Sequence, residues 1–120
     1  MKKLVAVAMA LAFLFSSNNE EKEDAWPNGV NYEVFVLAFA DGNGDGKGDL
    51  PGLTKRLDYL QDLGVGAVWL MPIMPSPTYH KYDVTDYKGI HPDYGTTEDF
   101  KKFVAEAHER GIQVIIDLIL

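Results

Sequence analysis

Residues 53–72 read LTKRLDYLQDLGVGAVWLMP, and two structural periods meet inside them. Leu53, Leu57, Leu60 and Leu63 step by four, three and three residues, which marks one face of a helix. Pro51 suits the first turn of that helix and Gly64 suits its stop. Ala67 to Met71 is then an unbroken apolar run closed by Pro72. Such a run reads as a strand covered on both faces.

The same alternation continues in both directions. Tyr32 to Phe39 is rich in β-branched and aromatic residues and predicts a strand. Thr96 with Asp99 offers a cap for a second helix, whose apolar face is Phe100, Phe103, Val104 and Ala107 and whose stop is Gly111. Ile112 to Leu120 is apolar except for Gln113 and Asp117, and predicts a third strand. Strand, helix, strand, helix, strand means an α/β chain with a parallel sheet wrapped by helices. Two architectures fit: an open doubly wound sheet or the first part of an eight-stranded barrel. No G-x-G-x-x-G follows the first strand, so a dinucleotide site is not supported.

Composition narrows the function classes. The 120 residues are 47% hydrophobic, enough for one modest core. Eleven basic residues against 18 acidic ones give a net charge of −7, which argues against nucleic acid as a partner. With no cysteine there is no disulfide, zinc-thiolate site or cysteine nucleophile. Met1-Lys2-Lys3 is a basic start, and the 12 residues from Leu4 to Phe15 are apolar. A run of this length is too short to cross the roughly 30 Å hydrocarbon layer as a helix, but suits the core of a signal peptide. Residues 1–17 are therefore expected to be a signal peptide, with the protein secreted or periplasmic and no stable membrane span after cleavage. Residues 18–27, with the charged run Glu20 to Asp24, are expected to be a linker.

Two segments carry chemistry. Asp41 to Asp49 reads DGNGDGKGD, placing side-chain oxygens at Asp41, Asn43, Asp45 and Asp49 with glycine at four of the five positions between. Lys47 occupies the remaining alternate position and can offer its backbone carbonyl. Hard cations take about six to eight oxygens, and glycine lets a chain coil tightly enough to supply them. The spacing predicts a calcium site, with magnesium second because of its stricter octahedral demand. Position 12 counted from Asp41 is Gly52, not the Glu of an EF-hand, and a strand precedes the loop.

The second segment, PSPTYHKYDVTDYKGIHPDYGT, holds Tyr79, Tyr82, Tyr87 and Tyr94 together with Asp83, Asp86 and Asp93. Aromatic faces and carboxylates suit the apolar faces and hydroxyl rims of sugars. A loop packed by its own side chains is the other reading. The three histidines show no metal-ligand spacing, and Trp69, lying in a strand, is expected in the core. Asp117 interrupts an apolar strand near its end, where a carboxylate needs partners.

From Tyr32 onward, roughly three-quarters of the chain resembles the α-amylase family of glycoside hydrolases. The motifs that carry the resemblance occur in order: FADGNGDGKGDLPGL, LGVGAVWLMPI, PSPTYHKYDVTDY, HPDYGT and GIQVIIDLIL. The resemblance implies that residues 28–120 form about the first three βα units of a TIM (β/α)8 barrel. It implies Asp41, Asn43, Asp45, the Lys47 carbonyl and Asp49 as calcium ligands. Tyr82 matches the tyrosine that stacks on the sugar beside the cleavage point, and Asp83 follows where some relatives contact a terminal glucose. Asp117 matches the aspartate opening the motif D-x-x-x-N-H, which orients the site. Where the family commonly has glycine, Lys81 precedes Tyr82 here, and Leu37 and Ala38 replace polar residues of the first strand.

The implied activity is retaining hydrolysis of an α-glucan or maltooligosaccharide. The nucleophile and acid/base are expected beyond Leu120, so the 120 residues alone are expected to be inactive. The alternatives are a non-enzymatic relative of this family and a stand-alone calcium-binding module.

Overall fold

A computed structural model describes residues 27–120. The expected signal peptide, and all but the last residue of the expected linker, lie outside the described residues. Three strands, β1 (Val30–Val34), β2 (Val65–Leu70) and β3 (Gln113–Ile116), form one sheet in the order β1-β2-β3. Both pairings are parallel, Val34 opposite Leu70 and Leu70 opposite Ile116. Helices lie between consecutive strands, so the expected α/β order holds.

The first strand ends earlier than the sequence suggests. After Val34 the chain makes a single helical turn, α1 (Val36–Phe39), closed by Ala38 N–H donating to the Phe35 carbonyl at 3.0 Å. Val34 and Val36 are both 1% exposed, so the turn buries residues two apart, as a strand would. The predicted Leu53–Leu63 helix is also two short ones, α2 (Leu50–Thr54) and α3 (Leu57–Asp62). Asp49 caps α2 by accepting from Gly52 N–H at 2.7 Å, and Pro51 sits in its first turn as expected. Leu53, Leu57 and Leu60 keep a common buried face across the break. Leu63 does not: it follows the last turn, is 51% exposed, and leads into Gly64 at φ 84°.

Helix α4 (Thr97–Glu109) begins with a reciprocal cap. Thr96 Oγ1 accepts from Asp99 N–H, while Asp99 Oδ2 accepts from Thr96 N–H. Phe103 and Ala107 are fully buried and pack in the core with Leu50, Leu53, Val68, Leu70 and Ile112. Gly111 at φ 73° then turns the chain into β3. The expected strand Ile112–Leu120 pairs only over Gln113–Ile116, with one further bond from Asp117 N–H to the Leu70 carbonyl at 2.9 Å. Because β2 ends at Leu70, residues past Asp117 have no neighbour in this ladder.

Side chains alternate across a strand. Val34, Val68 and Leu70 face the helices and are buried. Glu33, Trp69 and Ile115 align in register and lie on the other face. The 41–49 loop, the Pro72–Gly95 segment and Asp117 all follow the carboxyl ends of strands, the side on which α/β folds build their sites.

Candidate active-site face

Asp117 is the centre of the arrangement. Its Oδ2 accepts a hydrogen bond from the Tyr82 hydroxyl at 2.6 Å. Its Oδ1 accepts from the Trp69 indole N–H at 3.2 Å. The partners that its apolar setting demands therefore come from the strand beside it and from the loop after that strand. The hydrogen bond to Asp117, with desolvation and the carboxylates of Asp117 and Glu33 adding to it, pushes the Tyr82 hydroxyl up to about 12. The phenol is thus a firm donor at neutral pH, and the ring remains 36% exposed.

Trp69, expected in the core, lies on the sheet face away from the helices, 43% exposed in these three βα units, with its indole N–H on Asp117. Ala67, two residues before it on the same face, is fully buried, as are Val68 and Leu70 on the helix face, so Trp69 is the one exposed residue of β2. Asp83 is exposed, and among the described residues it hydrogen-bonds neither Tyr82 nor Asp117.

Both readings of the tyrosine-rich segment apply, to different residues. Tyr94 is 1% exposed and belongs to the packing. The Tyr87 hydroxyl donates to the Ile119 carbonyl, tying the segment to the stretch after β3. Thr85 N–H donates to the Pro75 carbonyl and His91 N–H to the Ile73 carbonyl, at 2.9 and 2.8 Å, so the long loop is pinned along its length. Tyr79, His80 and Tyr82 instead form an open row. Tyr79 stands edge-on to Phe35 with centroids 6.3 Å apart, and His80 lies 5.2 Å from Tyr79 and 5.8 Å from Tyr82. His80 Nδ1 also accepts from Tyr82 N–H at 3.1 Å, which fixes the backbone beneath that ring.

Lys81 holds φ 67°, the left-handed region that glycine occupies more readily. Its side chain is only 5% exposed; the ammonium donates to the Thr78 carbonyl at 3.1 Å and lies 5.8 Å from the Tyr94 ring centre. It is folded into the loop rather than across the Tyr82 ring.

The 41–49 loop coils through successive side-chain turns. Asp41 Oδ1 accepts from the amides of Asn43 and Gly44, and Oδ2 from that of Gly46 at 2.8 Å. These amides, Gly46 and then Gly44 foremost, hold the Asp41 carboxyl below the usual carboxylate range. Asn43 Oδ1 accepts from Asp45 N–H and Asp45 Oδ1 from Lys47 N–H, at 2.9 and 2.8 Å. Gly44 and Gly46 sit at φ 86° and 85°, the conformation that permits the coil.

Asp49 is 2% exposed and differs from the others. Its carboxylate accepts from the Gly42 and Gly52 amides, joining the base of the loop to α2. Among the described residues no three His, Cys, Asp or Glu side chains form a metal-holding group. The donor set of the loop is nonetheless all oxygen: Asp41 Oδ1 and Asp49 Oδ1 each accept two amides, while Asp41 Oδ2, Asp49 Oδ2 and Asp45 Oδ1 accept one each and keep a second lone pair. That chemistry fits a hard cation. Lys47 extends outward, its ammonium 3.1 Å from Asp93 Oδ2, an exposed pair worth about 0–1 kcal/mol.

Comparisons with known proteins bear on this arrangement. Residues 33–120 match the family model described as "Alpha amylase, catalytic domain". Alpha-amylase 3 of Dictyoglomus thermophilum is 54% identical over 98 residues, covering 82% of this chain and 20% of that protein. A probable oligo-1,6-glucosidase 2 of Bacillus subtilis is 43% identical over 100 residues, covering 82% of this chain and 18% of that protein. Among solved structures, the α-amylase from H. orenii superposes with a TM-score of 0.73 at 59% identity, covering 74% of this chain and 20% of that one. The chain thus spans about a fifth of the length of these relatives. The neighbours are barrel enzymes, which decides between the two architectures: the three βα units are part of a (β/α)8 barrel and not of an open sheet. On this match the chain belongs to the α-amylase family of glycoside hydrolases.

Proposed function

We propose that the full-length protein is a retaining glycoside hydrolase acting on α-glucans or maltooligosaccharides, and that this chain supplies the part of its barrel that grips and orients the sugar. The observation that carries the reading is the half-exposed Tyr82 ring held by Asp117 at the carboxyl end of the sheet. An aromatic face of this kind offers the apolar C–H surface of a glucose ring a flat partner. Asp117 engages the phenol hydroxyl, so the ring face and not the hydroxyl is left for the sugar. Asp83, exposed beside it, is proposed as an acceptor for sugar hydroxyls. The cleaving pair, two carboxyl groups about 5–5.5 Å apart in retaining enzymes, is assigned to residues of the full-length protein after Leu120. The 120 residues alone are expected to hydrolyse nothing. Relatives named for amylase and for oligo-1,6-glucosidase activity support the α-glucan class and leave the linkage open.

The 41–49 loop is proposed to hold calcium through Asp41, Asn43, Asp45, the Lys47 carbonyl and Asp49. A bound divalent ion would neutralise the gathered carboxylates and tie the loop to the start of α2. Export to the periplasm or medium is proposed from the basic start and the apolar run Leu4–Phe15. A mature N-terminus still at Met1 would count against export.

The test is hydrolysis by the full-length protein. Maltooligosaccharides are expected to be cleaved with the α-anomer as first product, as resolved by NMR. Absence of cleavage would favour a non-enzymatic relative. Calcium at about 100 times its Kd should stabilise by roughly 2.7 kcal/mol, so chelation should lower the melting temperature. A melting temperature indifferent to chelation and to added calcium would remove the metal assignment.

A further inference from the structure

We propose that Trp69 is a positioning residue of this sugar site: its indole N–H fixes the Asp117 carboxylate, which in turn fixes the Tyr82 hydroxyl. The inference rests on the α-glucan reading of that face. One Asp117 carboxylate oxygen takes the Trp69 N–H at 3.2 Å, the other takes the Tyr82 hydroxyl at 2.6 Å, and the Asp117 amide is tied to the Leu70 carbonyl at 2.9 Å. The group is held at three points. Two of them, Trp69 and Leu70, belong to β2, so the central strand of the sheet dictates where the carboxylate stands.

Trp69 is suited to this task by its place. It is the Cα partner of Glu33 on one side and Ile115 on the other, on the face away from the helices. Phe or Leu would give a strand the same apolar bulk, but neither carries a donor. Indole nitrogen is a donor only, so it discriminates for an acceptor and holds a carboxylate in one orientation. Without it, Asp117 keeps a single side-chain partner and can rotate about its own bonds, out of the position in which it meets the Tyr82 hydroxyl. The Tyr82 ring is the platform whose angle a sugar would feel.

The chain of contacts predicts coupling. In the full-length protein, Trp69→Phe removes the donor and keeps an aromatic ring. It is expected to lower kcat/KM on maltooligosaccharides roughly 10- to 150-fold, the range for one lost hydrogen bond to a charged group. Tyr82→Phe removes the other donor. If both act through Asp117, the double variant should be little worse than the more impaired single variant. A Trp69 that only filled space would give losses that multiply. A crystal structure of the Trp69→Phe protein provides a second readout that needs no activity. The Tyr82 hydroxyl is expected to separate from Asp117 beyond about 3.5 Å, the limit of a hydrogen bond.

Multiplying losses, or an Asp117–Tyr82 contact unchanged in the Trp69→Phe structure, would overturn the proposal. The outcomes also separate it from the reading beneath it. An active enzyme impaired by Tyr82→Ala but unmoved by Trp69→Phe refutes only the role of Trp69. A wild-type protein that cleaves no α-glucan refutes the proposed function, and the crystallographic readout still decides whether Trp69 positions Asp117.

Discussion

Replacing Tyr82 with alanine in the full-length protein is expected to lower kcat/KM on maltooligosaccharides by roughly 5- to 150-fold, from the loss of about 1–3 kcal/mol of stacking and orientation. The fold should survive. The ring is 36% exposed, and its strongest contact is with Asp117 and not with the core. Tyr82→Phe should lose less, because the platform remains and only its tether is removed. The melting temperature of the alanine variant should stay close to wild type. Steady-state kinetics together with a thermal melt distinguish the cases. Unchanged kinetics would return Tyr82 to loop packing, and a collapsed melt would mean that its role is structural.

The largest stability effect is expected at Gly48. A Cβ there would stand 1.9 Å from the Val36 carbonyl oxygen and 2.9 Å from the Leu37 carbonyl carbon, both backbone atoms that no side-chain rotation can move aside. The Gly48 amide donates to the Leu37 carbonyl at 2.7 Å, and the next residue repeats the pattern from Asp49 to Ala40. Gly48→Ala must therefore push the loop off α1 and break these bonds. A cost of about 3 kcal/mol or more is expected, and in a barrel of ordinary size a melting temperature lowered by roughly 5–10 °C. Gly44→Ala is the comparison. Nothing lies within 4 Å of its Cβ, but its φ is 86°, so only the left-handed strain of about 1–2 kcal/mol applies. Equal losses at the two positions would show that conformation, and not the close approach at Gly48, limits the loop.

Local and periodic features were legible in the sequence. The capping pair Thr96 and Asp99 is a local signal, and it forms as expected. The leucine face survived even where the helix did not. Leu53, Leu57 and Leu60 stay buried across the break because the connecting residues keep a helical bond, Arg56 N–H to the Leu53 carbonyl at 2.9 Å. The end of the first strand was not legible. Val34 and Val36 are buried at strand spacing, yet the second is reached by a helical turn.

The site shows the same division. A carboxylate in an apolar run has to be paired, and Asp117 stood out on that ground alone. Its partners did not, since they lie 48 and 35 residues away in the chain. The bond from Trp69 to Asp117 was not visible, because an all-apolar strand does not reveal which of its side chains meets a residue 48 positions later. The role of Lys81 was equally hidden: only the folded loop shows a lysine in a left-handed conformation with its side chain tucked against Tyr94.

The central claim is that the face carrying Tyr82, Asp117 and Trp69 receives an α-glucan. A crystal structure of the full-length protein, made inactive and soaked with a maltooligosaccharide, tests it most directly. A glucose ring stacked on Tyr82 with ring centres within about 4.5–7 Å, and the Tyr82 hydroxyl still bonded to Asp117, is the expected result. A sugar bound elsewhere in the barrel, with Tyr82 in contact with solvent alone, would contradict it.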